Sequence, residues 1–190
     1  MRTLGLVPAA GSAERFGGPK LLADVGGEPL LRRTLASLSD GGVDEIVLVL
    51  SAEGVSTVRA AIGDPARVRV VVNEDPSRGM FSSLQAGLAG ARGDAVAVLP
   101  GDMPFVDPAT IRMLLQVFTD RDGIVSPRFA GKRGHPLVLP AALRAEILAA
   151  APTSTLHTII AAHREERIDV DVDDPGVLRD VDTRADLAHA

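Results

Sequence analysis

The chain has 190 residues, 46% of them hydrophobic and 24% charged, a balance typical of a globular protein with one sizeable core. Its net charge of −5 and its five aromatic residues, all phenylalanine, disfavour a nucleic-acid surface, and its lack of cysteine excludes disulfides, thiolate metal sites and cysteine nucleophiles. No apolar stretch approaches the ~20 residues of a membrane-spanning helix, and the N-terminus has no secretory pattern. We therefore expect a cytoplasmic enzyme without membrane or nucleic-acid partners.

Short apolar, β-branched runs alternate with amphipathic segments through the first 120 residues. The runs predict parallel strands covered on both faces, at residues 3–7, 45–50, 68–72 and 95–99. The amphipathic segments predict helices at residues 29–39, 54–63 and 80–92. A fourth helix is predicted to begin at Pro108, with Asp107 as its N-cap. This repeated order predicts an α/β fold with a doubly wound, mostly parallel sheet and right-handed crossovers.

The second half of the chain has a different pattern. Two strands joined by a turn, at residues 123–129 and 135–140, predict an antiparallel excursion from the parallel sheet. Further elements are predicted in the order helix, helix, edge strand with a solvated acidic face, and a strand end that turns into a short helix, at residues 141–150, 153–166, 167–173 and 180–190. The sequence contains no repeat, low-complexity tract or linker, so residues 1–190 are predicted to form a single domain.

The first predicted strand leads into a glycine-rich loop, AAGSAERFGGPK, at residues 9–20. Ligands of open α/β sheets bind at the carboxyl ends of the strands, where glycines let backbone N–H groups approach phosphates closely. Lys20, one of only two lysines among 20 basic residues, can offset phosphate charge. Pro19 and the lack of a following Ser or Thr distinguish this loop from a Walker A loop, and G-x-G-x-x-G is absent. The loop is either another kind of phosphate cradle or a glycine-rich surface loop.

Carboxylates are predicted at the same edge of the sheet. Asp102 follows the fourth predicted strand, in a turn that Pro100 and Pro104 stiffen. Mg²⁺ typically binds one or two carboxylates together with phosphate oxygens and waters, so Asp102 is a candidate ligand. Asp182 is the candidate second ligand, with Asp180 as the alternative, although Asp182 could instead cap the last helix. Without a metal, two such carboxylates should repel each other and stand apart.

Five segments, in this order along the chain, resemble one protein family: PAAGSAERFGGPKLL (8–22), NEDPSRGMFSSLQAGL (73–88), GDMPFVDPATI (101–111), RGHPLVL (133–139) and DVDTRADL (180–187). The pattern is similar to the molybdenum cofactor cytidylyltransferases, which are nucleotidyltransferases with a glycosyltransferase-A-like fold. The resemblance implies transfer of CMP from CTP to a phosphorylated pterin-type acceptor, with Mg²⁺ as cofactor and pyrophosphate as product. It also implies transient contact with a molybdoenzyme or its maturation factor.

The resemblance implies a role for each segment. Arg15 and Lys20 would contact the phosphates, while Asp102 would bind Mg²⁺ together with Asp182. The nucleotide would be held by residues at strand ends, in the first loop and at a helix N-terminus, namely Ala9, Ala10, Gly11, Lys20, Ser51, Asn73, Gly79, Ser83 and Gly101. Gly134 and His135 would line the acceptor side, where Phe81 would narrow the space.

The motifs AAG and GDMP resemble the cytidylyl branch of the family, whereas the guanylyl branch has two glycines in the first loop. CTP is the expected donor, because the methyl group of Ala10 occupies space beside a larger purine. Two alternatives remain. One is a related nucleotidyltransferase that uses GTP or a sugar or polyol phosphate, and the other is a noncatalytic nucleotide- or cofactor-binding chaperone of the same fold. The presence of both Lys20 and Asp102 counts against the chaperone.

Overall fold

A computed structural model of the protein describes residues 1–11, 16–63, 65 and 67–187. The strands in this part of the chain are β1 (Thr3–Pro8), β2 (Asp24–Val25), β3 (Glu28–Pro29), β4 (Glu45–Ser51), β5 (Val68–Asn73), β6 (Ala95–Val98), β7 (Ile124–Phe129), β8 (Lys132–Arg133), β9 (Leu137–Pro140) and β10 (Arg167–Asp171). The α-helices are α1 (Leu30–Asp40), α2 (Ala52–Ile62), α3 (Met80–Ala89), α4 (Pro108–Arg121), α5 (Leu143–Ala149) and α6 (Leu156–Ala162).

The main sheet has the strand order β10–β7–β9–β6–β1–β4–β5, with β8 added to β7. Strands β6, β1, β4 and β5 are parallel to their neighbours within this group, and β10 is parallel to β7. Strand β9 runs antiparallel to both β6 and β7 and joins the two parallel parts. This architecture confirms the predicted α/β fold with an antiparallel excursion in the second half.

Helices cover both faces of the sheet, and each face has its own apolar core. Helices α1, α2 and α4 pack on one face, where Leu35 and Leu114 are buried with Leu48 of β4. On the other face, α3, α5 and α6 pack around Leu6 of β1, with Leu84 and Ile147 among the buried residues. Burying one such side chain contributes about 1.5–3 kcal/mol. The central strands are therefore buried on both faces, as their continuous apolar runs predict. No helix in the described ranges is long and apolar enough to span a membrane.

The ends of the elements follow local chemistry. The Asp107 carboxylate accepts a hydrogen bond from the Ala109 N–H at 2.7 Å, which confirms the predicted N-cap of α4. Thr155 caps α6 in the same way, so this helix begins at residue 156 rather than 153. In the final segment, the described residues 180–187 contain a 3₁₀ turn (Arg184–Leu187) but no strand end. The β2–β3 hairpin was not predicted, because two-residue strands have no periodicity.

The prediction of a solvated acidic face at residues 169–174 holds only in part, because Asp171 and Asp173 are exposed whereas Asp169 is half-buried and Asp174 is buried. Asp171 forms a bidentate pair with Arg128, its partner across the β10–β7 ladder, and Asp169 forms one with Arg133. Asp174 is buried and accepts hydrogen bonds from the N–H groups of Asp107 and Gly176. The acidic run therefore joins the edge strand to its neighbours, since each of these carboxylates has a partner on another segment or in its own turn.

A histidine links α5 to the end of α6 in a pH-dependent way. His163 Nδ1 lies 2.9 Å from Glu166 and Nε2 lies 2.7 Å from Glu146, and these hydrogen bonds raise the pKa of His163. The stabilisation is complete below the unfolded pKa of about 6.5 and is lost as the pH rises through the higher folded pKa. We expect His163→Gln to lower the free energy of unfolding at about pH 5.5 and to leave it nearly unchanged at about pH 9.

Urea unfolding followed by circular dichroism at the two pH values measures this difference. His157→Gln, which replaces an exposed histidine of the same helix, is the matched control. An equal loss of stability at both pH values in His163→Gln would contradict an ionic link.

Candidate active site

The candidate site lies at the carboxyl ends of β1 and β6, where backbone hydrogen bonds continue beyond the strands. The Gly101 N–H donates to the Pro8 carbonyl at 3.1 Å, and the Ala9 N–H donates to the Val49 carbonyl at 2.9 Å. Gly101 is buried so close to the first loop that a Cβ there would lie 2.8 Å from Ala9 Cβ. The first loop and the Asp102 turn are therefore held side by side, and glycine is required at their contact.

The C-terminal segment reaches the same place through a backbone contact. The Val181 N–H donates to the Asp102 carbonyl at 2.9 Å, and the Val181 side chain is fully buried. This contact sets Asp182 beside Asp102. The Asp186 carboxylate accepts hydrogen bonds from the backbone N–H groups of Asp182 and Thr183. Asp186, and not Asp182, therefore caps the last turn, and the Asp182 side chain contacts Lys20 instead.

Lys20 lies between the two predicted metal ligands. Its Nζ is 2.8 Å from Asp102 Oδ2 and 3.2 Å from Asp182 Oδ1, and only 14% of the lysine side chain is exposed. Asp180, the alternative second ligand, is exposed to solvent. The expectation that the two carboxylates would stand apart without a metal was wrong, because one ammonium contacts both and offsets their repulsion.

The electrostatics of this cluster keep Lys20 charged. Burial by itself disfavours the ammonium, but the hydrogen bonds and charges of Asp102 and then Asp182 outweigh it, so that the pKa of Lys20 is raised. At neutral pH the cluster is therefore a cation held between two carboxylates.

A cavity of about 270 Å³ opens beside this cluster. The first loop and the Asp102 turn form one wall, and the N-terminus of α3 forms another. The lining residues are Pro8, Ala9, Ala10, Gly11, Phe16, Lys20, Leu21, Pro76, Gly79, Met80, Ser83, Pro100, Gly101, Asp102 and Asp182. The sequence analysis assigned no site role to the apolar lining residues Phe16, Leu21 and Pro76, because an apolar loop residue has no chemical signature. Proximity to Lys20 in the sequence could have indicated Phe16 and Leu21 but not Pro76.

The residues present suit a hard divalent cation whose coordination shell is completed by the substrate. Asp102 and Asp182 place carboxylate oxygens around one point, which Lys20 Nζ now marks. In the described residues, no group of three or more His, Asp or Glu side chains could hold a metal ion. The remaining ligands would therefore be phosphate oxygens and waters, the usual situation for Mg²⁺.

Other predicted nucleotide-binding residues lie outside the cavity lining. Ser51 Oγ accepts a hydrogen bond from the Gly54 N–H and caps α2. Asn73 is buried, and its amide donates to the hydroxyls of Ser82 and Ser83 at 2.8 and 3.0 Å, which braces the start of α3. Their roles beside the base and sugar stay predictions. The predicted phosphate contact Arg15 lies outside the described residues.

The two predicted acceptor residues also lie outside this lining, and Phe81 is buried in the core. A Cβ on Gly134 would lie 2.2 Å from the Val177 carbonyl oxygen, and the His135 N–H donates to that oxygen at 2.9 Å. Burial lowers the pKa of His135, although its contact with the Val98 carbonyl and the charges of Asp102 and Asp180 oppose the shift. His135 is therefore neutral at neutral pH and electrostatically coupled to Asp102. An acceptor role for Gly134 and His135 stays a prediction.

The close contact at Gly134 predicts a large loss of stability. We expect Gly134→Ala to lower the free energy of unfolding by about 3 kcal/mol, because the new methyl group would overlap the rigid backbone of Val177. Urea unfolding measures the loss. Gly90→Ala is the matched control, since its Cβ would meet only Arg69 Nη1 at an ordinary 3.7 Å. Unchanged stability of Gly134→Ala would contradict this packing role.

A glycine-rich loop, a lysine and two aspartates meet at the carboxyl edge of a doubly wound sheet, which is where the ligands of such folds bind. Residues 5–168 match the family described as the MobA-like NTP transferase domain. The chain belongs to this family, which confirms its resemblance to the molybdenum cofactor nucleotidyltransferases.

The curated proteins that are similar to this chain are named for different activities. The chain is 32% identical over 191 residues to the nicotine blue oxidoreductase of Paenarthrobacter nicotinovorans, covering 94% of this chain and 91% of that protein. It is 38% identical over 139 residues to a probable molybdenum cofactor guanylyltransferase of Thermococcus kodakarensis, covering 70% of this chain and 63% of that protein. It is 32% identical over 119 residues to the 3-deoxy-manno-octulosonate cytidylyltransferase of Nitrobacter winogradskyi, covering 63% of this chain and 46% of that protein. The chain therefore spans less than two thirds of the two named transferases.

The fold is shared with solved structures along the whole chain. Rv0371c from Mycobacterium tuberculosis superposes with a TM-score of 0.84 at 30% identity, covering 99% of this chain and 96% of that one. A structure of Rv0371c in complex with manganese superposes with a TM-score of 0.77 at 28% identity, covering 100% and 97%.

Proposed function

We propose that the protein transfers CMP from CTP to the phosphate of a phosphorylated pterin-type acceptor and releases pyrophosphate. The observation that carries this proposal is Lys20 held between Asp102 and Asp182 on the wall of a cavity that the first loop also lines. Membership of the MobA-like family supports the same chemistry. The product would pass to a molybdoenzyme or its maturation factor through transient contact.

The reaction needs no nucleophilic side chain. An oxygen of the acceptor phosphate is already anionic, and it attacks the α-phosphorus of CTP while the bond from that phosphorus to the bridging oxygen of the β-phosphate breaks. Lys20 and the backbone N–H groups of Ala10 and Gly11 would hold the triphosphate, and Asp102 and Asp182 would hold Mg²⁺. When bound, the metal neutralises charge that develops on the phosphates. The protein therefore acts by positioning and charge stabilisation.

Pyrophosphate release tests the proposal. The protein is incubated with Mg²⁺, each of the four ribonucleoside triphosphates and the phosphorylated pterin of the molybdenum cofactor, and in parallel with a sugar phosphate or a polyol phosphate in place of the pterin. We expect release that depends on both triphosphate and acceptor. The absence of release with all four triphosphates would overturn the proposed function, and release only with a sugar or polyol phosphate acceptor would replace the pterin assignment.

The choice of base is expected to depend on Ala10, which is buried and lines the cavity. Because its methyl group takes space that a purine would need, CTP should be used about 10- to 200-fold better than GTP in a competition assay. Ala10→Gly should narrow this ratio. Ala9→Gly, which also lines the cavity but whose methyl group packs toward Gly101, shows how far a second glycine in the loop changes the ratio by itself.

Equal use of GTP and CTP would contradict the donor assignment and leave nucleotidyl transfer in place. The guanylyltransferase name of the Thermococcus relative is the reason to include GTP, and the cytidylyltransferase name of the Nitrobacter relative supports CTP.

A second candidate function comes from the relative named nicotine blue oxidoreductase, because the match covers 94% of this chain. It is tested by incubating the protein with nicotine blue and a reduced nicotinamide, and by following the loss of the reductant. Reduction of the dye without any pyrophosphate release would favour this candidate over nucleotidyl transfer.

A further inference from the structure

Lys20 occupies the point that a divalent cation would need. A Mg²⁺ ion bound by both aspartates would lie about 2.0–2.1 Å from their oxygens. Lys20 Nζ already lies 2.8 Å from Asp102 Oδ2 and 3.2 Å from Asp182 Oδ1. The ammonium and the metal would therefore compete for the same two carboxylates, and they would also repel each other.

The cavity offers the Lys20 ammonium a second position, beside an anionic ligand. Its side chain lines the cavity together with Gly11 and Gly79, which leave space for an anionic ligand beside it. A triphosphate in this cavity would offer Lys20 several anionic oxygens in exchange for the two carboxylates. Because the lysine stem is flexible and its ammonium is compact, the exchange requires only side-chain rotation.

We propose that Lys20 is a gate that closes the metal site in the absence of nucleotide and opens it when a triphosphate draws the ammonium away. The gate rests on the proposed function to the extent that it takes the cavity ligand to be a nucleoside triphosphate. Nucleotide and metal then bind with positive coupling, because each removes an unfavourable interaction that opposes the other. Metal alone binds weakly, since it must displace Lys20 without offering the ammonium a new partner.

Titration with Mn²⁺ alone, followed by electron paramagnetic resonance, tests the gate in the nucleotide-free protein. Lys20→Met keeps the length of the side chain and removes its charge, and we expect it to bind Mn²⁺ at least about tenfold more tightly than the unchanged protein. Lys132→Met is the matched control, because Lys132 is the other lysine of the chain and is exposed on β8, and it should bind Mn²⁺ as the unchanged protein does. Lys20→Gln provides a second neutral variant should Lys20→Met fail to fold.

The double variant Lys20→Met with Asp102→Asn locates the site, and it should lose the tight Mn²⁺ binding. Equal Mn²⁺ affinity in the unchanged protein and in the neutral Lys20 variants would overturn the gate, as would tight binding that survives Asp102→Asn. This titration contains no nucleotide and no acceptor. Tighter Mn²⁺ binding without any pyrophosphate release would therefore leave the gate standing and overturn only the proposed function.

Discussion

Asparagine in place of Asp102 is expected to reduce the turnover of nucleotidyl transfer by about 10²- to 10³-fold, the loss typical when one preorganised charge-stabilising group is removed. The neutral amide would leave Asp182 as the single carboxylate around the metal position that Lys20 now occupies. Asp182→Asn should cause a smaller loss, because the Asp182 side chain is more exposed than that of Asp102 (35% against 25%), so that a water can more easily take its place as a ligand. Turnover is measured as pyrophosphate release at saturating triphosphate, acceptor and Mg²⁺.

Asp180→Asn is the control for these variants, because Asp180 lies two residues from Asp182 on the same segment, is exposed and does not line the cavity. Its turnover should stay near that of the unchanged protein. Near-normal turnover of Asp102→Asn would contradict the site, and a loss in Asp180→Asn as large as that in Asp182→Asn would contradict the choice of second ligand.

Alanine in place of Lys20 is expected to weaken triphosphate binding and to lower turnover by about a hundredfold, because a preorganised cation beside the phosphates is lost. Lys20→Arg should not restore activity, since a planar guanidinium does not replace a compact ammonium in a tight phosphate cradle. Steady-state kinetics with varied triphosphate give both effects, and circular dichroism verifies the fold. The control is Lys132→Ala on exposed β8. Activity of Lys20→Ala equal to that of the control would contradict the role of the first loop.

The sequence predicted the part of the architecture that depends on local pattern. Continuous apolar runs identified the central strands, and Asp107 followed by Pro108 identified the start of α4. Lys20 and Asp102 could be singled out because each follows a buried strand that must end at the carboxyl edge of the sheet. The contacts of Lys20 with Asp102 and Asp182 could not be read from spacing, because 82 and 162 positions separate Lys20 from the two aspartates.

Features that depend on a neighbouring segment were missed or misread. Asp174 belongs to an acidic run that appears solvent-facing in sequence, yet it is buried because two backbone N–H groups supply hydrogen bonds to its carboxylate. Gly134 was assigned to the acceptor side, but only the fold shows the Val177 carbonyl within 2.2 Å of where its Cβ would be. Such contacts are properties of the packed chain and have no local signature.

A crystal structure with Mn²⁺ and a nonhydrolysable CTP analogue tests the central claim most directly, because the anomalous signal of manganese locates the metal. We predict manganese bonded to carboxylate oxygens of Asp102 and Asp182, and a triphosphate bound by Lys20 and the backbone of residues 9–11. We also predict that Lys20 Nζ has left both carboxylates for the phosphates. Manganese or the triphosphate bound away from this cavity, for example in the groove beside Phe105 and Arg179, would contradict the account.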